Sequence, residues 1–160
     1  MPGHSQGRLG AALSSLAVAT LTMAACASRI DSMGADRGRA PLAGTSWEVR
    51  ELRDDAGAPG LVLSGTQLTV VFGDDGRVTG SAGCNSYFAA YAVKGGTITI
   101  GLPGTTRRFC GEVEGLMEQE ARFLGALPTT ATFRIDGDTL TLRAADGDVA
   151  ASLVRFAAGP

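Results

Sequence analysis

Thr130-Ala131-Thr132-Phe133-Arg134-Ile135-Asp136-Gly137-Asp138-Thr139-Leu140-Thr141-Leu142-Arg143 reads as two short apolar-rich runs on either side of a Gly-Asp turn. Strict alternation is plain in Thr139 to Arg143, which is the period of a half-buried strand. Glycine beside aspartate supplies the backbone angles of a tight hairpin turn. The same punctuation recurs outward from this stretch. Asp75-Gly76 joins Gln67 to Phe72 with Arg77 to Ser81, and Asp146-Gly147 joins Thr139 to Arg143 with Val149 to Phe156. Thr97-Ile98-Thr99-Ile100 also alternates, and two further runs, Trp47 to Arg53 and Tyr87 to Val93, have strand character. The count is about eight short antiparallel strands.

One segment departs from that period. From Glu112 to Leu127 the apolar residues Val113, Leu116, Met117, Ala121, Leu124 and Leu127 fall at helical spacing, with Glu112, Glu114, Glu118, Gln119 and Arg122 on the other side. The early acidic residues suit the positive end of a helix dipole, and Pro128 stops the helix. The expected class is therefore α+β: a curled antiparallel sheet, an open or cracked barrel, with one amphipathic helix over a mouth or face.

The first 26 residues read differently. Leu9 to Met23 carries no charge, and Met23-Ala24-Ala25-Cys26 follows it. A polar start, an apolar run of about 15 residues and small residues at the end have the layout of a secretory signal peptide, too short to span a bilayer. Small residues before Cys26 resemble a bacterial lipobox, so Cys26 is the expected lipidation site. Each buried acyl CH₂ contributes about 0.8 kcal/mol, enough for a stable membrane anchor when two or three chains are attached. An ordinary cleaved leader that happens to contain Cys26 is the alternative. The expected organisation is a signal peptide at 1–25, a lipidated cysteine and flexible tether at 26–41, one domain at 42–156 and a tail at 157–160. Export with a lipid anchor, on the outer face of the cytoplasmic membrane or on the outer membrane, follows as the expected location.

Charge and side-chain chemistry exclude several functions. The chain has 14 basic and 16 acidic residues, which gives no electrostatic basis for binding nucleic acid. His4 is the one histidine and lies in the leader, so a processed chain lacks His-based nucleophilic catalysis and His-ligated zinc. The acidic pairs Asp54-Asp55, Asp74-Asp75, Asp136-Asp138 and Asp146-Asp148 sit at or beside Gly-containing turns, where aspartate is expected for backbone reasons. No catalytic residue, metal ligand set or cofactor is assigned. Cys84 and Cys110 form an even pair in an exported domain, which points to a disulfide stabilising the fold by about 3 to 4 kcal/mol. Two free, buried thiols are the alternative.

Gly83-Cys84-Asn85, then Thr106-Arg107 with Cys110 three residues on, then a Glu-containing helix ending in Leu127-Pro128, resembles the META domain of HslJ-type lipoproteins. The opening Gly44-Thr45-Ser46-Trp47 and the late Leu140-Thr141-Leu142 fit the same pattern, so the resemblance covers nearly all of residues 42–156. Arg108 and Phe109 stand where the family commonly has Met and a small residue. The resemblance implies a curled antiparallel sheet with one helix, similar to secretion pilotins that hold a lipid or peptide in an apolar groove. It implies no enzymatic activity, and it implies links to envelope stress and antibiotic tolerance. Two readings of the motif residues stand: Asn85, which can bond back to the chain, and with it Thr106 and Arg107, maintain the fold around the disulfide, or the three form a ligand-facing patch, beside which a partly open barrel exposes Tyr87, Phe88 and Tyr91, aromatics otherwise read as core. The expected function is a non-catalytic envelope lipoprotein that meets the membrane through its lipid and binds a protein partner or lipid-like ligand. A structural, stress-protective role without a specific ligand is the alternative, and an enzyme using carboxylates only is a third.

Overall fold

The computed structural model describes residues 41–54 and 56–156. Cys26, with the leader and tether assigned before residue 41, lies outside the described residues, as do Asp55 and the tail 157–160. The described residues form ten strands and one α-helix. The strands are β1 (Thr45–Arg53), β2 (Pro59–Leu61), β3 (Thr69–Phe72), β4 (Arg77–Ser81), β5 (Ser86–Lys94), β6 (Thr97–Ile100), β7 (Gly104–Thr105), β8 (Thr130–Asp136), β9 (Thr139–Ala144) and β10 (Val149–Arg155). The helix α1 spans Leu116–Ala126, and a 3-10 turn follows at Leu127–Thr129.

Eight strands close into an antiparallel barrel in the order β10-β9-β8-β6-β5-β4-β3-β1, with β1 pairing back onto β10. The closing register runs from Trp47↔Arg155 to Leu52↔Ala151. These are the eight runs legible in the sequence. The ring is closed rather than open or cracked, because its first and last strands meet. Two short strands lie outside the ring: β2 adds to β1 and β7 adds to β5. Neither has enough residues to show an alternation. The narrowest joint is β6 to β8, paired at Thr97↔Thr132.

Alternate residues of each strand point inward. Trp47, Leu68, Val70, Phe72, Val78, Leu140, Leu142 and Leu153 are fully buried and fill the ring. Eight strands enclose a space just wide enough for side chains to fill, so the interior is core rather than groove. Each large side chain buried there contributes about 1.5 to 3 kcal/mol. Gly80 marks one tight crossing: a Cβ there would lie 2.0 Å from the Thr69 carbonyl oxygen, so β3 and β4 approach only because the side chain is missing.

Chain direction places the connections 54–58, 62–68, 82–85 and 145–148 at one end of the barrel, the end that α1 covers. The segments 41–44, 73–76, 95–96 and 137–138 lie at the other end. The helix starts four residues later than its apolar pattern predicts. Gly115 sits in the left-handed region (φ 80°), which no helix continues through. Its face is rotated as well. Leu116, Gln119, Glu120 and Phe123 are buried, whereas Ala121 is exposed and Met117 and Leu124 are half-buried. Gln119, expected on the solvent side, therefore points into the protein.

Candidate functional site

The opening Gly-Thr-x-Trp run is a device for starting the barrel. Thr45 accepts the indole N–H of buried Trp47 at 2.7 Å and donates its hydroxyl to the Leu42 carbonyl. Gly44 (φ 73°) turns the chain so that its amide reaches the Phe72 carbonyl at 2.7 Å. The Arg155 guanidinium lies over the Trp47 ring, 4.3 Å from its centroid.

Gly83-Cys84-Asn85 forms the turn between β4 and β5, and α1 closes over it. Gly83 has φ 109°, and a Cβ there would meet Leu116 Cδ1 at 2.7 Å. The buried Glu120 carboxylate, 5% exposed, accepts the backbone amides of Cys84 (3.1 Å) and Asn85 (2.7 Å) and the Asn85 side-chain amide (2.7 Å). Cys84 is bonded to Cys110, with their Cα atoms 5.9 Å apart. Asn85 also donates to the Arg108 carbonyl at 3.0 Å, while its Oδ1 accepts the Thr106 hydroxyl (2.8 Å) and the Arg108 amide (2.7 Å). The Arg108 guanidinium donates to the Cys84 carbonyl. One turn, one loop and one helix are thus tied through a single carboxamide and a single carboxylate.

This arrangement redistributes the expected ligand-facing residues. Asn85 uses both donors and both acceptor positions within the chain, which is all an amide side chain has. It is a lock for the loop and has no hydrogen-bonding capacity left for a ligand. Tyr87 is buried, with its hydroxyl donating to the Thr69 carbonyl at 2.9 Å and its ring edge-on to Phe123 at 5.6 Å. Burial pushes that hydroxyl's pKa up, and Tyr87 belongs to the core because it points inward from β5. Thr106, Arg107 and Phe88 are at the surface, although the Thr106 hydroxyl is engaged by Asn85. The sequence reading missed Glu120, Gln119 and Arg108. Gln119 accepts the Leu63 amide at 2.7 Å and donates to Thr66 at 3.0 Å, pinning α1 to the loop before β3. One signal was available: positions 116, 119, 120, 123 and 127 share a helix face, so Phe123 marks a stripe that includes two polar residues.

In three of the acidic pairs one aspartate serves its own turn. Asp54 accepts the amides of Ala56 and Ala58, Asp75 accepts that of Arg77, and Asp146 accepts that of Asp148. Arg53 bridges Asp146 (3.0 Å) and Asp148 (2.7 Å) across the end of β1. The Asp148 amide first, and then Arg53, hold the Asp146 carboxyl below its usual range.

Two clefts stand out on the surface of the described residues. One, of about 510 Å³, lies at the end away from α1, lined by Leu42, Tyr91, Val93 and Phe133 with Asp74 at its edge. The second, of about 690 Å³, follows the narrow β6–β8 joint between Ile98, Pro128 and Thr130. Neither lies between α1 and the sheet, where Phe123, Leu116, Gln119 and Glu120 fill the contact.

Comparison with known proteins places this geometry. An NMR structure of a protein from Burkholderia xenovorans is 23% identical, with TM-score 0.61, over 94% of this chain and all of that one. A second NMR structure is 19% identical, with TM-score 0.52, over 69% of this chain and 88% of that one. A crystal structure of a DUF4847 family protein from Bacteroides vulgatus is 14% identical, with TM-score 0.51, over 79% of this chain and all of that one. At such identities the likeness is one of fold. A search of the curated proteins found no match. The family model of the META domain matches residues 40–156, the whole of the barrel with its helix, and the chain belongs to that family.

Proposed function

We propose that the chain is a non-catalytic lipoprotein, anchored to the cell envelope through Cys26, that binds a protein partner or lipid-like ligand. The observation that carries a binding role rather than a chemical one is the employment of the carboxylates. Asp54, Asp75 and Asp146 each accept amides of their own turn, and Glu120 accepts three hydrogen bonds from Cys84 and Asn85. None of these four is poised as a free acid beside a free base, which carboxylate-only chemistry would need. The cleft of about 510 Å³ offers apolar contact from Leu42, Val93 and Phe133 with a polar edge at Asp74, the composition of a small-ligand or peptide site.

Native mass spectrometry of the chain extracted from membranes, with crosslinking in cells, tests this reading. We expect a bound lipid or one captured partner, lost when Val93→Glu charges the cleft. Intact mass should show acyl chains on Cys26, absent from Cys26→Ser. No ligand and no partner in repeated preparations would overturn the binding role. The filled barrel interior favours a second reading, passive stabilisation of the envelope under heat or antibiotic stress. A deletion strain rescued as fully by the Val93→Glu chain as by the unaltered one would support that reading instead.

A further inference from the structure

The cleft at the barrel end away from α1 is built partly from the entering chain. Pro41, Leu42 and Ala43 line it together with Tyr91, Val93 and Phe133. The entry is fixed in place: Leu42 is buried, and its carbonyl accepts the Thr45 hydroxyl. Val93 is 43% exposed there. Asp74 stands at the edge, with its Oδ1 3.4 Å from where a Cβ on Gly44 would lie. The two aspartates of this turn are employed differently. Asp75 accepts the Arg77 amide at 3.1 Å. Among the described residues no hydrogen bond or ion pair engages the exposed Asp74 side chain.

We propose that Asp36-Arg37-Gly38-Arg39-Ala40, the last residues before the described barrel, fold back as a strap over this cleft, with their arginines against Asp74. Covalent geometry favours this occupant over any other. Ala40 is joined to Pro41, so its Cα lies about 3.8 Å from that of a lining residue. Five residues reach about 17 Å when extended, enough to cross a cleft of about 510 Å³. No outside molecule meets the cleft at a comparable effective concentration. Charge agrees. An arginine stem covers apolar surface while its guanidinium reaches outward. That suits a cleft with Val93 in its lining and an unpaired carboxylate at its edge. Exposed Lys94, beside Val93 and Gly95, offers Asp36 the opposite sign.

Exposed ion pairs hold weakly and are screened by salt, so the strap is a latch that opens rather than a fixed part of the barrel. Its consequence for an outside ligand rests on the binding role proposed above. Such a ligand competes with the chain's own residues, and its apparent affinity falls by the fraction of chains that are open. A molecule that displaces the strap replaces an arginine on Asp74, so a cationic group, such as the side chain of a basic peptide, is the chemistry that the site accepts.

Trypsin gives a direct test, because a guanidinium bound to Asp74 must leave it before entering the protease. The chain from residue 26, carrying Cys26→Ser so that no detergent enters the cleft, retains every described residue. Cleavage after Arg29 in the same chain serves as the reference. Asp74→Asn should speed cleavage after Arg37 and Arg39 about threefold against that reference, with the thermal midpoint unchanged. About 0.5 M salt should do the same to the parent and add nothing to the variant. In a second arm, a thiol placed by Val93→Cys should react with iodoacetamide about threefold faster when Arg37→Gln and Arg39→Gln are added. Equal rates with and without the substitutions, in either arm, overturn the proposal. So does protection that depends on protein concentration, the mark of a second copy in the cleft. If the strap is found but no ligand or partner is captured, the binding role fails and the strap stands. If one is captured while the trypsin rates are equal, the binding role stands and the strap fails.

Discussion

The Glu120 carboxylate ties α1 to the turn between β4 and β5. It satisfies two backbone amides that the tight Gly83-Cys84-Asn85 turn leaves without strand partners, and it fixes the amide of Asn85. Leaving buried donors unmet costs about 1 to 3 kcal/mol each. Glu120→Ala should therefore destabilise the domain by about 2 to 4 kcal/mol, read as a lower urea midpoint with an unchanged slope. Glu120→Gln keeps one acceptor oxygen and should lose less; an Ala variant as stable as the parent would refute the role. Asn85 was legible in the sequence as a residue that bonds back to the chain. Its partners were not, because Thr106, Arg108 and Glu120 lie 21 to 35 residues away and only the tertiary fold selects them.

Elements meet at the barrel ends through a few such clamps. The end of β1 is held to the β9–β10 turn by Arg53, which joins Asp146 and Asp148. Asp146 has a folded pKa below its ordinary value. The unfolded chain consequently binds more protons in the acid range. The stabilisation is complete above the ordinary carboxylate pKa of about 4 and fades as pH falls through the lower folded value. Arg53→Gln should flatten the acid limb of stability against pH in part only, because the Asp148 amide remains the larger cause of the shift. Urea titrations between pH 2 and 6 check this, and an unchanged acid limb would show the clamp to be idle. The helix teaches a related lesson. Its existence and its stop at Pro128 were plain, but its buried face was mis-phased, since Gln119 reads as a solvent residue and Glu120 is assigned no face until the loops that they bind are folded against them.

At the scale of the molecule, β1 and β10 lie about a hundred residues apart and close the ring. Deleting residues 149–160 removes the partner of both β1 and β9. It should abolish the cooperative thermal transition, because two long edges and the Leu153 site would open together. A truncated chain that still melts cooperatively would show that closure is dispensable. The sequence by itself determined the eight barrel strands, their turns, the helix that ends at Pro128 and the membership of the family, because period-two alternation, helical spacing and Asp-Gly turns are local properties. Only the tertiary structure decided that the ring closes, that Asn85 and Tyr87 face inward, and that Phe109 and Leu102 face out. Those outcomes depend on contacts between segments distant in the chain, and burial is a property of the assembled whole rather than of any one residue.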